Sequence, residues 1–137
     1  MEKLVNLAKP DLFLTTLTKN VAGDEEDPRH KWHDEVRDCY PQEWEENVAM
    51  APLKAFKELG GYDEEYDNGW AWNNCNVAER ADILGYRFLL DETNRPQLIF
   101  HVKEPVLNPN MPENGDLHYK TMKAIREGKK PLKLNYL

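Results

Sequence analysis

The sequence predicts an α/β domain in which a mixed sheet is flanked by helices. Two short apolar runs, residues 11–17 and 86–90, have the composition of buried strands. Between and after them, apolar residues recur at helical spacing and are bounded by proline and glycine. The chain has 137 residues, 40% hydrophobic and 31% charged, and no Gly/Ser linker divides it, so a single domain over residues 1–137 is expected.

The first third of the chain is predicted to hold one strand, one helix and an extended segment. The strand covers residues 11–17, and the acidic stretch 23–28 then breaks regular structure. Pro28 suits the first position of a helix with acids just before it, and this helix is expected to run to about Arg37. Residues 44–50 are expected to be extended.

Two helices are predicted in the middle of the chain. The first opens at Pro52 and stops at the Gly60–Gly61 pair, and the second is capped by Asn73 or Asn74 and stops at Gly85. The apolar residues that recur on one face of each helix are Leu53, Phe56 and Leu59 in the first and Val77, Ala81 and Leu84 in the second.

The remaining residues are predicted to add two strands and one helix. The strands cover residues 86–90 and 97–102, and the helix covers about 116–127. The basic tail, residues 129–137, either docks on the domain or frays. Three or four strands are few for a freestanding α/β sheet, which averages about five or six. This economy suggests that part of the architecture is missing.

Charge and composition exclude several classes of protein. The net charge is −7 with a pI near 5.1, which argues against a nucleic-acid binder. Residues 1–68 carry 17 acidic and 8 basic side chains, so the negative charge is concentrated there and indicates either cation binding or solubility. No apolar run reaches the roughly 18–20 residues of a membrane span. Two cysteines without framework spacing predict a reduced, cytoplasmic protein.

The densest chemistry lies in residues 60–74, where four acids and four aromatic residues form a loop between the two central helices. Turns are normally built from small polar residues, so this composition is unusual. A sugar ring can stack its C–H face on Trp or Tyr while carboxylates and amides accept hydrogen bonds from its hydroxyls. The alternative, favoured by composition alone, is that Trp70 and Trp72 simply fill the core beneath the loop.

The order of residues in this region resembles the C-terminal half of family-2-like nucleotide-sugar glycosyltransferases with the A-type fold. The resemblance is strongest over residues 47–103 and implies a partial fold, the acceptor-side half, lacking the N-terminal nucleotide-binding half. It also implies transfer of a hexose from a nucleotide sugar to a sugar or glycan acceptor. The matching segments are Leu59–Glu64, Gly69–Asn74, Arg80, Gly85 and His101–Val102.

The resemblance also implies roles for individual residues. Asn73 and Asn74 stand at the catalytic position, and His101 matches a histidine that completes a divalent-metal site in many members, usually for Mn²⁺ or Mg²⁺. That metal also requires an Asp-x-Asp supplied by a partner half. The residues expected to bind substrate are Gly61, Asp63, Glu64, Trp70, Trp72 and Arg80, of which Trp70, Trp72 and Asp63 are expected to line the acceptor and sugar pocket.

Two departures from the family pattern bear on activity. The family carries Glu or Asp where this chain has Asn73–Asn74, and an amide is not a useful base near neutral pH. The chain therefore either uses a retaining-type mechanism or has lost transfer activity, with Asp63, Glu64 and Asp67 as nearby acids that can substitute. The chain also has no Asp-x-Asp, so it is expected to be a fragment, one half of a split protein, or a reduced descendant.

The alternative function is a non-catalytic module that binds carbohydrate or protein on a degenerate glycosyltransferase scaffold. The expected partners are a separate nucleotide-binding half or further copies of the chain, without nucleic acid; an acidic mimic of nucleic acid is a weaker third hypothesis. His30 and His33, at i and i+3, fit either a metal site or a solvated helix face. Cys39 and Cys75 are interpreted as ordinary thiols.

Overall fold

The computed structural model describes residues 2–16, 19–20, 34–44, 49–69, 71–93, 97–98 and 112–136. The helices within these residues are α1 (Glu2–Leu7), α2 (Leu53–Leu59), α3 (Asn73–Ile83) and α4 (Gly115–Arg126), together with two short 3-10 helices, Pro41–Glu43 and Glu64–Asn68. The strands are β1 (Leu12–Thr15), β2 (Lys19–Asn20), β3 (Val36–Asp38), β4 (Ala49–Met50), β5 (Arg87–Asp91) and β6 (Gln97–Leu98).

Four of these strands form a mixed sheet in the order β3-β5-β1-β4. The central strands β1 and β5 run parallel, whereas β3 and β4 pair antiparallel at the two edges. The connection from β1 to β5 contains β2, β3, β4, α2 and α3, so it is much longer than the dozen or so residues that a parallel pair requires. The predicted α/β class with a mixed sheet and helices is therefore confirmed. Strands β2 and β6 form a separate parallel pair.

The register of the central strands separates two apolar layers. Phe13 lies opposite Phe88, and Leu14 lies opposite Leu89 on the other face, because successive side chains of a strand alternate. The larger core, on the side of α2 and α3, contains Phe13, Trp44, Ala55, Leu59, Val77, Ala78, Ala81, Tyr86 and Phe88. The smaller core contains Leu12 and Leu14, with Leu7, Met50 and Leu89 packed against them.

Gly60 ends α2 and lets the C-terminal tail approach closely. Its φ of 74° is in the left-handed region, and its backbone N–H donates to the carbonyl of Phe56. A Cβ at this position would lie 1.7 Å from the carbonyl oxygen of Leu134. The N–H of Leu134 donates to the carbonyl oxygen of Leu59 at 2.8 Å, so the described part of the tail docks on the domain.

The structure corrects two predictions in the first half of the chain. The expected helix over 28–37 is wrong at its C-terminal end, because Val36–Asp38 form an edge strand against β5. Residues 28–33, including His30 and His33, lie outside the described residues. The expected apolar face of α2 is partly wrong, since Leu53 is 68% exposed and Ala55 is buried beside Leu59. Helical spacing identified the helix but did not fix which face packs.

Three predictions around α3 are also corrected. Trp72, rather than Asn73 or Asn74, is the N-cap, and its side chain makes no capping hydrogen bond. The expected loop between α2 and α3 contains the 3-10 helix Glu64–Asn68, which begins because the side chain of Asp63 accepts a hydrogen bond from the backbone of Glu65. Of the predicted apolar face of α3, Val77 and Ala81 are buried in the core as expected, whereas Leu84 is exposed.

Other predicted elements are confirmed with small shifts. Strands β1 and β5 lie within or next to 11–17 and 86–90, α4 matches 116–127 within one residue, and Gly85 has a φ of 83° after α3. Of the predicted strand 97–102, only Gln97–Leu98 lies within the described residues. No helix among the described residues is long and apolar enough to cross a membrane.

Candidate functional site

An open cleft of about 480 Å³ lies between the 3-10 helix Glu64–Asn68 and the N-terminus of α3. It is built from the aromatic and acidic run that the sequence singled out, and we call it the Trp72 cleft. Its described lining residues are Tyr66, Asp67, Gly69, Ala71, Trp72, Asn73 and Asn74.

Two consecutive residues at the cleft adopt a left-handed backbone conformation that residues other than glycine rarely adopt. Ala71 has a φ of 62° and Trp72 a φ of 72°, although neither is glycine. Such residues cost about 1–3 kcal/mol each and persist only where their surroundings hold them. The Nδ2 of Asn114 donates to the carbonyl oxygens of Tyr66 and Ala71, at 2.8 and 3.0 Å, and so ties the two ends of this turn together.

Gly69 leaves the space that Asn114 needs to make these two hydrogen bonds. A Cβ at Gly69 would lie 2.1 Å from the Oδ1 of Asn114 and 2.6 Å from the carbonyl oxygen of Pro112. The constraint here is space, because Gly69 has an extended backbone that any residue adopts. Glycine is therefore required at position 69, because it lets the residues just before α4 approach the wall of the cleft.

The indole of Trp72 is held from two sides. Its Nε1 donates to a carboxylate oxygen of Glu113 at 3.0 Å, and its ring lies against the imidazole of His118 with centroids 5.0 Å apart and planes inclined by 31°. Both contacts come from residues at or next to α4. The position of the aromatic wall is therefore decided by a helix distant in sequence.

His118 connects the cleft wall to a buried polar network. Its Nδ1 lies 3.2 Å from the hydroxyl of Tyr66, and its Nε2 lies 2.9 Å from Oε1 of Glu79. A carboxylate only accepts hydrogen bonds, so Nε2 donates to Glu79. Burial raises the pKa of Tyr66 to about 12, so its hydroxyl stays protonated. With Nε2 donating to Glu79, the Nδ1 atom is the ring nitrogen that can accept from this hydroxyl.

Glu79 lies at the base of the network and is almost fully buried. It accepts hydrogen bonds from Gln42 at 2.8 Å, from His118, and from the guanidinium of Arg126 at 2.6 Å. Burial by itself raises the pKa of this carboxyl, but the hydrogen bonds from His118 and Gln42 and the nearby charges outweigh it, so the pKa is lowered. Glu79 is therefore an ionised anchor for α4.

Asn73 and Asn74 occupy the first two positions of α3 and both line the cleft. The Nδ2 of Asn74 donates to the carbonyl oxygen of Trp44 at 3.1 Å, which fixes that amide. The first backbone N–H groups of a helix have no partner within the helix. This side of the cleft therefore offers hydrogen-bond donors.

Asp63 and Glu64 are not among the described residues that line the cleft. Asp63 is 4% exposed; one of its oxygens caps the 3-10 helix, and the other lies 2.8 Å from the ammonium of Lys130. Burial opposes the charge of Lys130, but its contacts with Asp63 and Glu65 raise its pKa above the usual value. Glu64 is exposed. Asp67 is the described carboxylate that remains at the cleft.

Arg80 is fully buried and its guanidinium is occupied by the protein itself. It donates to the carbonyl oxygens of Leu59, Gly61 and Leu132, the last two at 3.0 Å, and to the side chain of Asn76 at 3.2 Å. Burial lowers its pKa from the very high value of a free guanidinium. Gly61 takes part through its carbonyl. Both residues join α2, α3 and the tail.

The remaining predicted site residues, Trp70 and His101, lie outside the described residues. Among the residues that are described, no three His, Cys, Asp or Glu side chains come together as a metal site. The Mn²⁺ or Mg²⁺ site thus stays a prediction that rests on the resemblance.

Tyr66, Asn114, His118 and Glu79 were missed by the sequence reasoning. Tyr66 and Glu79 lie inside the motif region, but nothing in their spacing distinguishes a buried hydrogen-bonding residue from an ordinary core residue. Asn114 and His118 lie beyond residues 47–103, and no motif marks them. The signal that finds them is contact across the tertiary structure.

No protein-family model, no curated protein and no solved structure matches this chain. The glycosyltransferase resemblance therefore rests on the motif residues between Leu59 and Val102.

Proposed function

We propose that this chain is the acceptor-side half of a nucleotide-sugar glycosyltransferase and that the Trp72 cleft holds a sugar ring during hexose transfer. The observation that carries the proposal is that the second part of the motif run lines one cleft, to which Trp72, Asp67 and the residues Asn73 and Asn74 all contribute.

The lining of the cleft suits a sugar in three ways. An indole offers an apolar surface for the C–H face of a pyranose, and it is held in place by its contacts with Glu113 and His118. The amides and the start of α3 offer donors, and Asp67 offers an acceptor, so ring hydroxyls find both kinds of partner. The two left-handed residues, Ala71 and Trp72, are the strained backbone that often accompanies binding sites.

Asp67 is the residue proposed to act as the base. In transfer, the acceptor oxygen bonds to C1 of the hexose, and the bond from C1 to the diphosphate oxygen breaks with its electron pair leaving on the nucleoside diphosphate. The hydroxyl proton passes to a carboxylate within hydrogen-bond reach. Asn73 and Asn74 cannot accept it, and Asp63 is committed to Lys130. Asp67 is the described acid at the cleft that is left for this role.

The nucleotide is proposed to be held by a separate nucleotide-binding half or by another copy of the chain. A divalent ion, when bound there, would neutralise the diphosphate leaving group. His101 is the residue of this chain proposed to contribute to that site.

The first test is whether sugars bind the cleft. The indole N–H signal of Trp72 in a heteronuclear NMR spectrum, identified by its loss in Trp72→Phe, is followed while hexoses are added. We expect a saturable shift that Tyr119→Ala, which removes an exposed aromatic residue of α4, leaves unchanged. Because Trp72→Ala removes the reporter, the loss of binding expected in that variant is measured by titration calorimetry. If no hexose, glycan or nucleotide sugar shifts the signal, the proposal is wrong.

The second test is turnover. Release of nucleoside diphosphate from nucleotide hexoses is measured with Mn²⁺ and candidate acceptors, for this chain alone and together with a nucleotide-binding half that carries an Asp-x-Asp. We expect Asp67→Asn to abolish the release. Asn73→Asp restores a carboxylate at the family position and is expected to increase the rate. If both the unchanged chain and Asn73→Asp bind sugar but show no turnover, the catalytic part of the proposal is contradicted.

A non-catalytic carbohydrate-binding module is the second candidate function. The specific observation in its favour is that both residues at the family's catalytic position are amides, one of them fixed on the carbonyl of Trp44. Binding without turnover is its expected result.

A further inference from the structure

We infer that the Trp72 cleft selects sugars with a free amine, hexosamines rather than neutral or phosphorylated hexoses, and that Asp67 recognises the ammonium group. The inference rests on the proposed function, because it names the substrate class of the same cleft.

The described lining of the cleft is negatively charged. Asp67 is the charged side chain among the described residues that line the cleft, and the others are neutral. It is exposed, and no other described residue forms a hydrogen bond or ion pair with its carboxylate. A negative group of this kind is available to a ligand, unlike the carboxylate of Asp63, which is buried against Lys130.

The surroundings of the cleft add to its negative charge. The carboxylate of Glu113 lies beside Trp72, which adds a second negative charge at the rim. None of the described residues that line the cleft is basic. Lys130 is paired with Asp63 and Glu65 at 2.8 and 3.0 Å, and Arg126 is paired with Glu79 at 2.6 Å. A phosphorylated sugar therefore meets the charge of Asp67 without a cation in the described lining to offset it.

The N-terminus of α3 has the opposite electrostatic effect. It carries the equivalent of about half a positive charge, which favours ligand oxygens on the side of Asn73 and Asn74. A full carboxylate charge at Asp67 exceeds that, and the two lie on different elements of the lining. A hexosamine matches both, with its hydroxyl oxygens toward α3 and its ammonium between one carboxylate oxygen of Asp67 and the ring of Trp72, where a cation is also attracted. The second oxygen of Asp67 is left for the acceptor hydroxyl.

The test compares affinities from the Trp72 indole signal for glucosamine, glucose, N-acetylglucosamine and glucose 6-phosphate at low salt. We expect glucosamine to bind roughly two- to fivefold more tightly than glucose, the size typical of an exposed ion pair. Glucose 6-phosphate should bind more weakly than glucose. The preference for the amine should shrink in about 0.5 M salt, where charges are screened.

The variants separate Asp67 from general acidity. Asp67→Asn should abolish the preference for the amine, whereas Glu64→Gln, which neutralises an exposed acid outside the lining, should keep it. Equal affinity for glucosamine and glucose overturns this inference but leaves sugar binding intact. Binding of lysine as tight as that of glucosamine also overturns it, since the ring would then contribute nothing. Failure of every sugar overturns the proposed function itself.

Discussion

The imidazole of His118 packs against the indole of Trp72, with ring centroids 5.0 Å apart, and joins it to the buried carboxylate of Glu79. His118 belongs to α4, whereas Trp72 caps α3, so the cleft wall depends on a contact between two helices. The packing of α4 and the shape of the cleft are therefore coupled.

Replacing His118 by alanine should loosen both the helix and the cleft. The substitution removes a buried aromatic contact and the hydrogen bonds to Tyr66 and Glu79, so we expect a loss of about 2–4 kcal/mol in the free energy of unfolding. Urea denaturation measures the loss, and the near-UV circular dichroism of the native protein should weaken as Trp72 gains freedom. Tyr119→Ala, an exposed neighbour on α4, should change stability by less than about 0.5 kcal/mol. Similar stability losses in the two variants would contradict the role of His118.

Arg80→Lys should destabilise the fold although the charge is kept. The guanidinium reaches three carbonyls from two separate segments, and the smaller ammonium cannot span them. We expect a loss of about 2–4 kcal/mol by chemical denaturation. Arg87→Lys, at an exposed pair with Asp38, is the matched control and should be nearly neutral. A stable Arg80→Lys variant with weaker sugar binding would assign Arg80 to the ligand instead.

Removing the ammonium of Lys130 should destabilise the protein, because the buried carboxylate of Asp63 then has no cation beside it. Lys130→Met leaves a carboxylate that is 4% exposed without its cation, and we expect a loss of about 2–3 kcal/mol. Adding Asp63→Asn should recover part of this loss, since the amide still accepts at the start of the 3-10 helix. A double-mutant cycle in urea measures the coupling. Additive losses would show that the pair contributes no specific interaction.

Glu79 should make the protein sensitive to acid. Its pKa is lowered in the folded state, so its stabilisation is complete above the unfolded value near 4.5 and is lost as the pH falls through the lower folded pKa. We expect the urea concentration at the unfolding midpoint to decrease when the pH is lowered below about 4.5. The decrease should be smaller in Glu79→Gln, which keeps the shape of the side chain and an acceptor for His118. If the urea midpoint changes equally with pH in the two proteins, Glu79 is not the source of the acid sensitivity.

Cys39 should react slowly in the folded protein. Burial, the larger effect, and the nearby carboxylate of Glu43 raise the pKa of its thiol to about 12. In a Cys75→Ala variant, alkylation at pH 8 should be roughly a hundredfold or more slower than in urea, because the thiolate is the reactive form. A rate in the folded protein close to that of the unfolded one would contradict the burial of Cys39.

The elements with strong local signals could be predicted from the sequence. Leu12–Thr15 is apolar and β-rich, and glycine at positions 60 and 85 stops two helices by adopting positive φ. The face of α2 could not be predicted, because Leu53 and Leu59 fit the same helical spacing and only the packing of β1 decides that Leu59 is buried. The edge strand Val36–Asp38 was missed because its partner, β5, lies about fifty residues away.

The candidate site divides in the same way. The sequence by itself determined the segment that holds the cleft, because the aromatic and acidic residues are concentrated in residues 60–74. It did not determine which of them line the cleft, since Asp67 and Trp72 do and Asp63 does not. Only the tertiary structure decided what these side chains are free to do. It buries the guanidinium of Arg80 among backbone carbonyls and packs His118 behind Trp72, since hydrogen bonds and burial depend on segments that are distant in sequence.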